Sequence, residues 1–319
     1  MSKNSVAVFR IRRDYCNVNA GSLIIHSMII KKLCEMSGEM VTGAVELLYG
    51  SQITGNQSRD DIKNFICGRC FDNGRFMLAA VEDGRVVATG GAVVAEIDRH
   101  EIFITALAAA SSFEAILDEV VRALLSDIAE FSGCRLKLGV KGDLNVPAGF
   151  PESFGFCHAY SLLQMRFAAE QPAEEDSAHI ELPALSPENI DEYVSVTNAG
   201  FDGTPNVSTI DAADAKRLLA NEAFRCGLIR TDNRTVGCYE LKLDSSAGWI
   251  ESVCLLPASR GHGLGRAAVA KLIRMLHQLG YETVKLSVID INEKAYSLYQ
   301  RMGFSVDRVL SRWYVKNGD

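Results

Sequence analysis

Apolar positions in the second half of the chain alternate between two periods. Around 265–279 they recur at helical spacing, through Leu264, Ala268, Leu272, Met275, Leu276 and Leu279, and the run stops at Gly280. Over 283–288 the period becomes two, with Val284, Leu286 and Val288 on one side. The same reading predicts a short strand over 178–182 and helices over 186–198 and 211–221. Strands over 226–230 and 235–243 flank the turn Thr231-Asp232-Asn233-Arg234 as a hairpin. A strand over 247–256, a helix over 293–302 closed by Gly303, and strands over 304–309 and 312–315 complete the series. This is an α/β order, with an antiparallel front and a parallel strand–helix–strand centre.

The first half carries the same rhythm. Sliding the second half back by 148 positions, without a gap, sets Gly303-Phe304 on Gly155-Phe156. Val284, Leu286 and Val288 then fall on Leu136, Leu138 and Val140, and the helix pattern falls on 116–131. Strand 235–243 has a counterpart at 86–94, after an apolar strand at 76–81, and strand 102–107 precedes the repeated helix. One spacing held across helix, strand and Gly-Phe predicts a structural duplication. The acidic, aperiodic run AAEQPAEEDS, beginning at Ala168, reads as a linker. The expected organisation is a first domain at 1–168, a linker at 169–177 and a second domain at 178–319.

Length and composition agree with two ordinary globular domains: 319 residues, 48% hydrophobic and 23% charged. The longest apolar run, 23–30, is interrupted by His26 and Ser27, far short of the ~18 residues of a membrane span. The first nine residues lack the apolar stretch of a secretory signal. The expected location is the cytoplasm. A net charge of −7 argues against nucleic acid or an anionic membrane as partner and is compatible with a cationic substrate. The nine cysteines read as reduced thiols, mostly buried as small hydrophobes. Cys67 and Cys70 have CxxC spacing, but no second ligand pair stands at zinc-site spacing. They fall on an amphipathic helix expected over 60–71, with Ile62, Phe65 and Ile66 on one face, and no metal is expected.

The segment VCLLPASRGHGLGR, Val253 to Arg266, is the most informative. A strand ends at Leu256, Pro257 stops its ladder, and a glycine-rich turn feeds a helix. With no side chains at Gly261, Gly263 and Gly265, the amides from Gly261 to Arg266 can converge on an anion at the positive end of a helix. A P-loop would need GxxxxGK[ST], and the dinucleotide fingerprint begun at Gly261 meets Arg266 where its third glycine belongs. Begun at Gly263, it meets only the looser form ending at Ala268. On the glycines alone, a phosphate cradle and a plain turning loop stay equally open.

The residues downstream separate them. Arg260-Gly261-His262-Gly263-Leu264-Gly265 is followed by strand Leu286-Ser287-Val288, then Asn292, Ala295, Leu298-Tyr299 and Gly303-Phe304. This series resembles the GNAT family of acetyl-CoA-dependent N-acyltransferases, whose pattern is [RQ]xxGx[GA] and, after a strand, NxxAxxLYxxxGF. The resemblance is strong over 237–315 and weaker over 180–228. It implies two tandem GNAT-like α/β domains, each a mixed, mostly antiparallel twisted sheet with helices on both faces, the first copy degenerate. It implies acetyl-CoA as cofactor, with the loop Arg260, Gly261, His262, Gly263, Leu264, Gly265 and Arg266 holding the pyrophosphate. Strand residues Val253, Cys254 and Leu255 would pair with the pantetheine and polarise the acetyl carbonyl, and Asn292 would bond near that arm. Tyr299 would protonate the leaving thiolate.

The chemistry asks for such groups. A phenol of pKa ~10 can protonate a thiolate of pKa ~8.5 when held within hydrogen-bond reach. The plainer readings are a packing tyrosine beside Tyr296 and, for Asn292, a helix N-cap. The attacking amine must lose a proton to a base or a water relay. Glu251 is the first candidate, an acid on an apolar strand whose expected face holds Trp249, Val253 and Leu255, where burial would raise its pKa. Glu240 is the reserve, expected to face water, and His262 reads as a solvated phosphate neighbour. In the first half, Ser112 to Leu117 replace the cradle, without glycine and with Glu114, and Pro151 stands where Tyr299 does. That half reads as a support or as a wall of the acceptor site.

The function expected from the resemblance is direct acetyl transfer, in a ternary complex, to an amine of a small molecule or peptide. A different acyl donor, or a non-catalytic acyl-CoA-binding module, is the alternative. Oligomeric state and acceptor identity have no code in the sequence. Acceptor residues are expected around 201–207.

Overall fold

The computed structural model describes residues 9–11, 28–51, 58–95, 97, 100–111, 113–167, 179–204 and 209–317. The expected linker with Ala178, Ser112, the apolar positions 23–27 and acceptor positions 205–207 lie outside them. The chain forms two compact units, Met1–Ser161 with Leu310–Asp319, and Leu162–Val309. The unit boundary therefore falls inside a strand rather than at the acidic run, and the last ten residues go with the first unit.

In the first unit the sheet runs β1 (Phe9–Ile11), β2 (Met28–Lys32), β3 (Met77–Glu82), β4 (Arg85–Val93), β5 (Glu101–Ala109) and β6 (Arg135–Lys141). Neighbours are antiparallel except β5 and β6, which are parallel. Helices α1 (Gly38–Gly50) and α2 (Arg59–Ile66) cover one face through Leu48, Ile62 and Ile66, and α3 (Leu117–Asp127) covers the other through Leu117, Val120 and Leu124. Ser58 opens α2: its hydroxyl accepts from the Asp61 amide at 3.2 Å, and Asp61 accepts from the Ser58 amide at 3.0 Å. The helix expected over 60–71 ends at Ile66. Cys67 caps it, Gly68 is extended, and a 3-10 turn, Arg69–Phe71, follows. The CxxC pair thus spans the break between α2 and the 3-10 turn rather than one helical face.

The second unit holds α4 (Ile190–Gly200), α5 (Ala212–Ala220), β8 (Phe224–Thr231), β9 (Arg234–Leu243), β10 (Gly248–Leu255), α6 (Leu264–Gln278), β11 (Val284–Ile289), α7 (Glu293–Arg301) and the start of β12 (Phe304–Lys316). Its sheet has the order β7-β11-β10-β9-β8, β7 being Cys157–Phe167, whose Leu162 to Arg166 pair with Ile289 to Lys285. The β8–β9 hairpin turns through Asp232 and Asn233, both left-handed at φ 49° and 60°, the backbone a two-residue hairpin needs. The two expected final strands are one, β12, and its end pairs with β6 of the first unit from Ser311 to Lys316. The expected strand 178–182 is reduced to isolated bridges, Glu181 to Arg230 and Ala184 to Gly227.

One face of this sheet packs on α6 and α7 through Tyr239, Leu241, Ile250, Leu272, Leu286 and Phe304. The other packs on α4 and α5 through Tyr193, Val196, Leu228, Cys238 and Cys254. The duplication is visible element by element: β5–α3–β6 repeats β10–α6–β11. In both copies a left-handed glycine, Gly155 at φ 79° and Gly303 at φ 98°, precedes a buried phenylalanine.

Candidate active site

The parallel pairing of β10 and β11 covers Gly248 to Ile250 against Val284 to Leu286. Beyond Ile250, β10 runs on to Leu255 with no further pairing to β11 among the described residues. The two strands part, and the edge of β10 facing the gap offers backbone groups to an extended ligand. At its end a 3-10 turn, Pro257–Ser259, leads into the loop.

Gly261 and Gly263 sit at φ 87° and 78°, where a side chain would be strained, and a Cβ at either would meet nothing within 4 Å. The loop is therefore bent by its glycines and left bare. Gly263 caps α6, no acidic residue stands in the first helical turn, and His262 is exposed beside it. The amides of a first helical turn lack partners inside the helix and carry the positive end of its dipole. Donor set, open space and charge all fit a pyrophosphate. One detail differs from expectation: the Arg266 amide donates to Gly263 O at 3.0 Å, tightening the first turn, so the outward-facing amides are those before it. Leu264 packs on the core, and a Cβ at Gly265 would lie 3.7 Å from both Leu255 Cδ1 and Leu298 Cδ2. The starts of the loop helix and the body of α7 thus converge on Leu255.

Arg260 does not extend into the loop opening. Its Nε donates to Leu255 O at 3.0 Å and its Nη2 to Gly200 O at 2.8 Å, tying the end of β10 to the end of α4. Asn292 caps α7, its side-chain oxygen accepting from the Ala295 amide at 3.3 Å. That bond accounts for the residue without a ligand. Tyr299 is 8% exposed, with its ring 5.8 Å from that of Phe304. Burial pushes its phenol up to about 12. It is protonated throughout the neutral range and can serve as a donor, not as a base.

The register of β10 shifts between Ile250 and Ser252, and Glu251 is the residue at the bulge. A bulge reverses the alternation. Val253 and Leu255 face α6, while Cys254 faces α4. Glu251 is therefore not on an apolar face with them. It is exposed. Glu240, expected to face water, is instead half-buried on β9, opposite Ser252 and Cys226. Burial, and then the charge of Glu251, push its carboxyl up to about 7, with Lys242 opposing. The properties expected of Glu251 belong to Glu240.

Around Glu240 stand groups that single-strand patterns do not single out. Tyr193 is buried on α4, and burial, with Cys226, Cys238 and Glu240 nearby, pushes its phenol well above the usual range. Cys238 and Cys254 face each other across β9 and β10. The β8–β9 turn could have paired Cys226 with Glu240 by register, but α4 comes to them only through the fold. In the first unit, the position of the cradle holds Phe113 and the 3-10 turn Glu114–Ile116, which runs directly into α3. Pro151, opposite number of Tyr299, leads a 3-10 turn, Glu152–Phe154.

A splayed parallel pair, a bare glycine loop on a helix start, a buried phenol and a half-buried carboxyl are parts that acyl transfer asks for. The sequence profile of the Acetyltransferase (GNAT) family matches residues 193–304, and the second unit is a domain of that family. The chain is similar to the mycothiol acetyltransferase of Pseudarthrobacter chlorophenolicus, 27% identical over 236 residues, covering 70% of this chain and 72% of that one. It is also similar to the mycothiol acetyltransferase of Thermobispora bispora, 28% identical over 205 residues, covering 60% and 68%. In fold it resembles a GCN5-related N-acetyltransferase from Sphaerobacter thermophilus, with TM-score 0.67, 16% identity, and 91% and 95% of the chains covered. A tandem GNAT protein from the clavulanic acid biosynthesis pathway aligns with TM-score 0.59 and 15% identity over 91% and 98%. The tandem fold is thus the one the sequence predicts. Among the described residues, no helix is long and apolar enough to cross a membrane.

Proposed function

We propose that the second unit transfers the acetyl group of acetyl-CoA to a small-molecule amine by direct attack, with Glu240 as the base. The observation that carries this reading is the carboxyl of Glu240, pushed up to about 7, on β9, which pairs with β10 along the edge opposite the open one. A base of that pKa is half ionised at neutral pH, which balances available carboxylate against basicity for taking the proton the amine loses as it attacks. The glycine loop of Gly261 to Gly265 holds the pyrophosphate, and the backbone of Val253 to Leu255 orients the thioester and donates to its carbonyl oxygen as charge develops there. Tyr299 supplies the proton to the departing sulfur. Glu251, exposed at the bulge, tunes Glu240 and offers a second carboxylate to a cationic acceptor. The mycothiol acetyltransferases among the relatives favour a small molecule over a peptide as acceptor.

Initial velocities at varied acetyl-CoA and amine test the reading. Intersecting lines are expected for a ternary complex. Parallel lines would require an acyl-enzyme and would remove direct attack.

A further inference from the structure

Three thiols lie on the α4 face of the second sheet, Cys226, Cys238 and Cys254, none more than 7% exposed. Acyl transfer as described above uses none of the three sulfurs. Cys238 and Cys254 are direct partners in the antiparallel β9–β10 register, with their Sγ atoms 3.3 Å apart. Thr197 Oγ1 lies 3.3 Å from Cys238 Sγ, and a Cβ at Gly200 would collide with Cys254 Sγ. The two sulfurs are therefore held against each other from two sides, by the sheet and by the last turns of α4.

We propose that Cys238 and Cys254 are a redox-active dithiol, a modification site that closes to an intramolecular disulfide under peroxide and reopens under a thiol reductant. Direct partners on antiparallel strands have Cα atoms about 4.5–5.5 Å apart, within the range a disulfide spans. The sulfurs need only approach to about 2.05 Å, a shift that rotation about the two Cα–Cβ bonds supplies.

The pair is also asymmetric, as disulfide chemistry requires. The two sulfurs share a hydrogen bond, and the positive charge of Arg260 acts on Cys254. Both effects lower the Cys254 thiol, against its burial. Cys238 is pushed up by the same bond and by burial. Cys254 is the attacking thiolate and Cys238 the resolving thiol. With hydrogen peroxide, the Cys254 thiolate attacks one oxygen, the O–O bond breaks, and the departing hydroxide is protonated to water. Cys254 is left as a sulfenic acid. The Cys238 sulfur then attacks that sulfur and the S–O bond breaks. The second hydroxide takes the Cys238 proton and leaves as water. Two electrons pass from the dithiol to the peroxide. Cys226 stands aside, its thiol pushed up to about 12 by burial and the charge of Glu240.

The test needs no activity and is independent of the acyl-transfer reading. The reduced full chain is exposed to equimolar hydrogen peroxide, alkylated after denaturation, digested and mapped by mass spectrometry. The expected result is a linked peptide joining Cys238 to Cys254, lost after dithiothreitol. In Cys238→Ser, the link should be absent and Cys254 should be trapped by dimedone as its sulfenic acid. Complete alkylation of Cys238 and Cys254, with oxidation confined to the exposed Cys34 and Cys157, would overturn the proposal. So would a link that forms only when peroxide is added after denaturation.

Discussion

Glu251, turned outward at the β10 bulge, acts on Glu240 across the strand pair, and its charge adds to burial in raising that carboxyl to about 7. One side chain is exposed and the other half-buried, so two acids on adjacent strands sit in different surroundings. The bulge makes this difference. Without it, Glu251 would alternate onto the same face as Val253 and Leu255.

The rate should carry that relationship. If Glu240 acts as its carboxylate, kcat/KM rises with pH through about 7, the value at which it ionises. Glu251→Gln removes a nearby negative charge, lowers the Glu240 pKa, and moves the limb to lower pH. Glu240→Gln should flatten the limb and lower kcat by about 10²–10⁴-fold. A limb with an unchanged midpoint in Glu251→Gln would contradict the coupling.

Stability should move in the opposite sense to activity. Because the folded pKa of Glu240 lies above its ordinary 4.5, the folded state holds the proton more tightly than the unfolded state. That contribution is fully present below about pH 4.5 and is lost as pH rises through about 7. Glu240→Gln removes the cost of the buried charge, so the variant should gain stability over the parent at pH 8, by at most about 3 kcal/mol. At pH 5 the difference should be small. Denaturant titrations at the two pH values measure it, and an equal ΔΔG at both would place Glu240 in water.

Much of this could be read from the chain. The helix of α6, the strand of β11 and the Gly-Phe before β12 follow from local periodicity, and the 148-residue repeat links β5–α3–β6 to β10–α6–β11. The bend at Gly261 and Gly263 was legible as backbone freedom, and only the residues from Leu286 to Phe304 pointed past a plain turning loop to a cradle. The setting of the two carboxyls was not legible. A bulge leaves no mark in an alternation only seven or eight residues long, so Glu251 and Glu240 exchange the surroundings expected of them. Nor does local sequence record that β7, at the end of the first repeat, pairs with β11. That pairing is non-local, and its apolar residues suit either sheet.

Tyr299 offers a cleaner substitution. Tyr299→Phe keeps the ring contact with Phe304 and removes only the hydroxyl. The expected result is a fall in kcat of about 10²-fold or more with the KM for acetyl-CoA little changed. Unchanged turnover would leave Tyr299 as a core residue of α7.

The path of β7 sets the minimal second unit. A fragment 178–319 lacks the β7 segment that pairs with Lys285 to Ile289, together with the buried Met165 and Phe167. It should aggregate or melt without a cooperative transition, because β11 becomes an open edge and the core loses two large side chains. A fragment 162–309 retains them and should fold. Circular dichroism melts of both decide it, and a cooperative melt of 178–319 would show β7 to be dispensable.

Release of free thiol from acetyl-CoA, followed continuously with a panel of small amines, tests the central claim most directly. The expected result is thiol release that depends on an amine and matches acetylated amine one for one by mass. Gly263→Asp, which sets bulk and negative charge beside the pyrophosphate position at a left-handed glycine, should abolish it. Binding of acetyl-CoA without thiol release for any amine would contradict the account and leave the second unit an acyl-CoA-binding module.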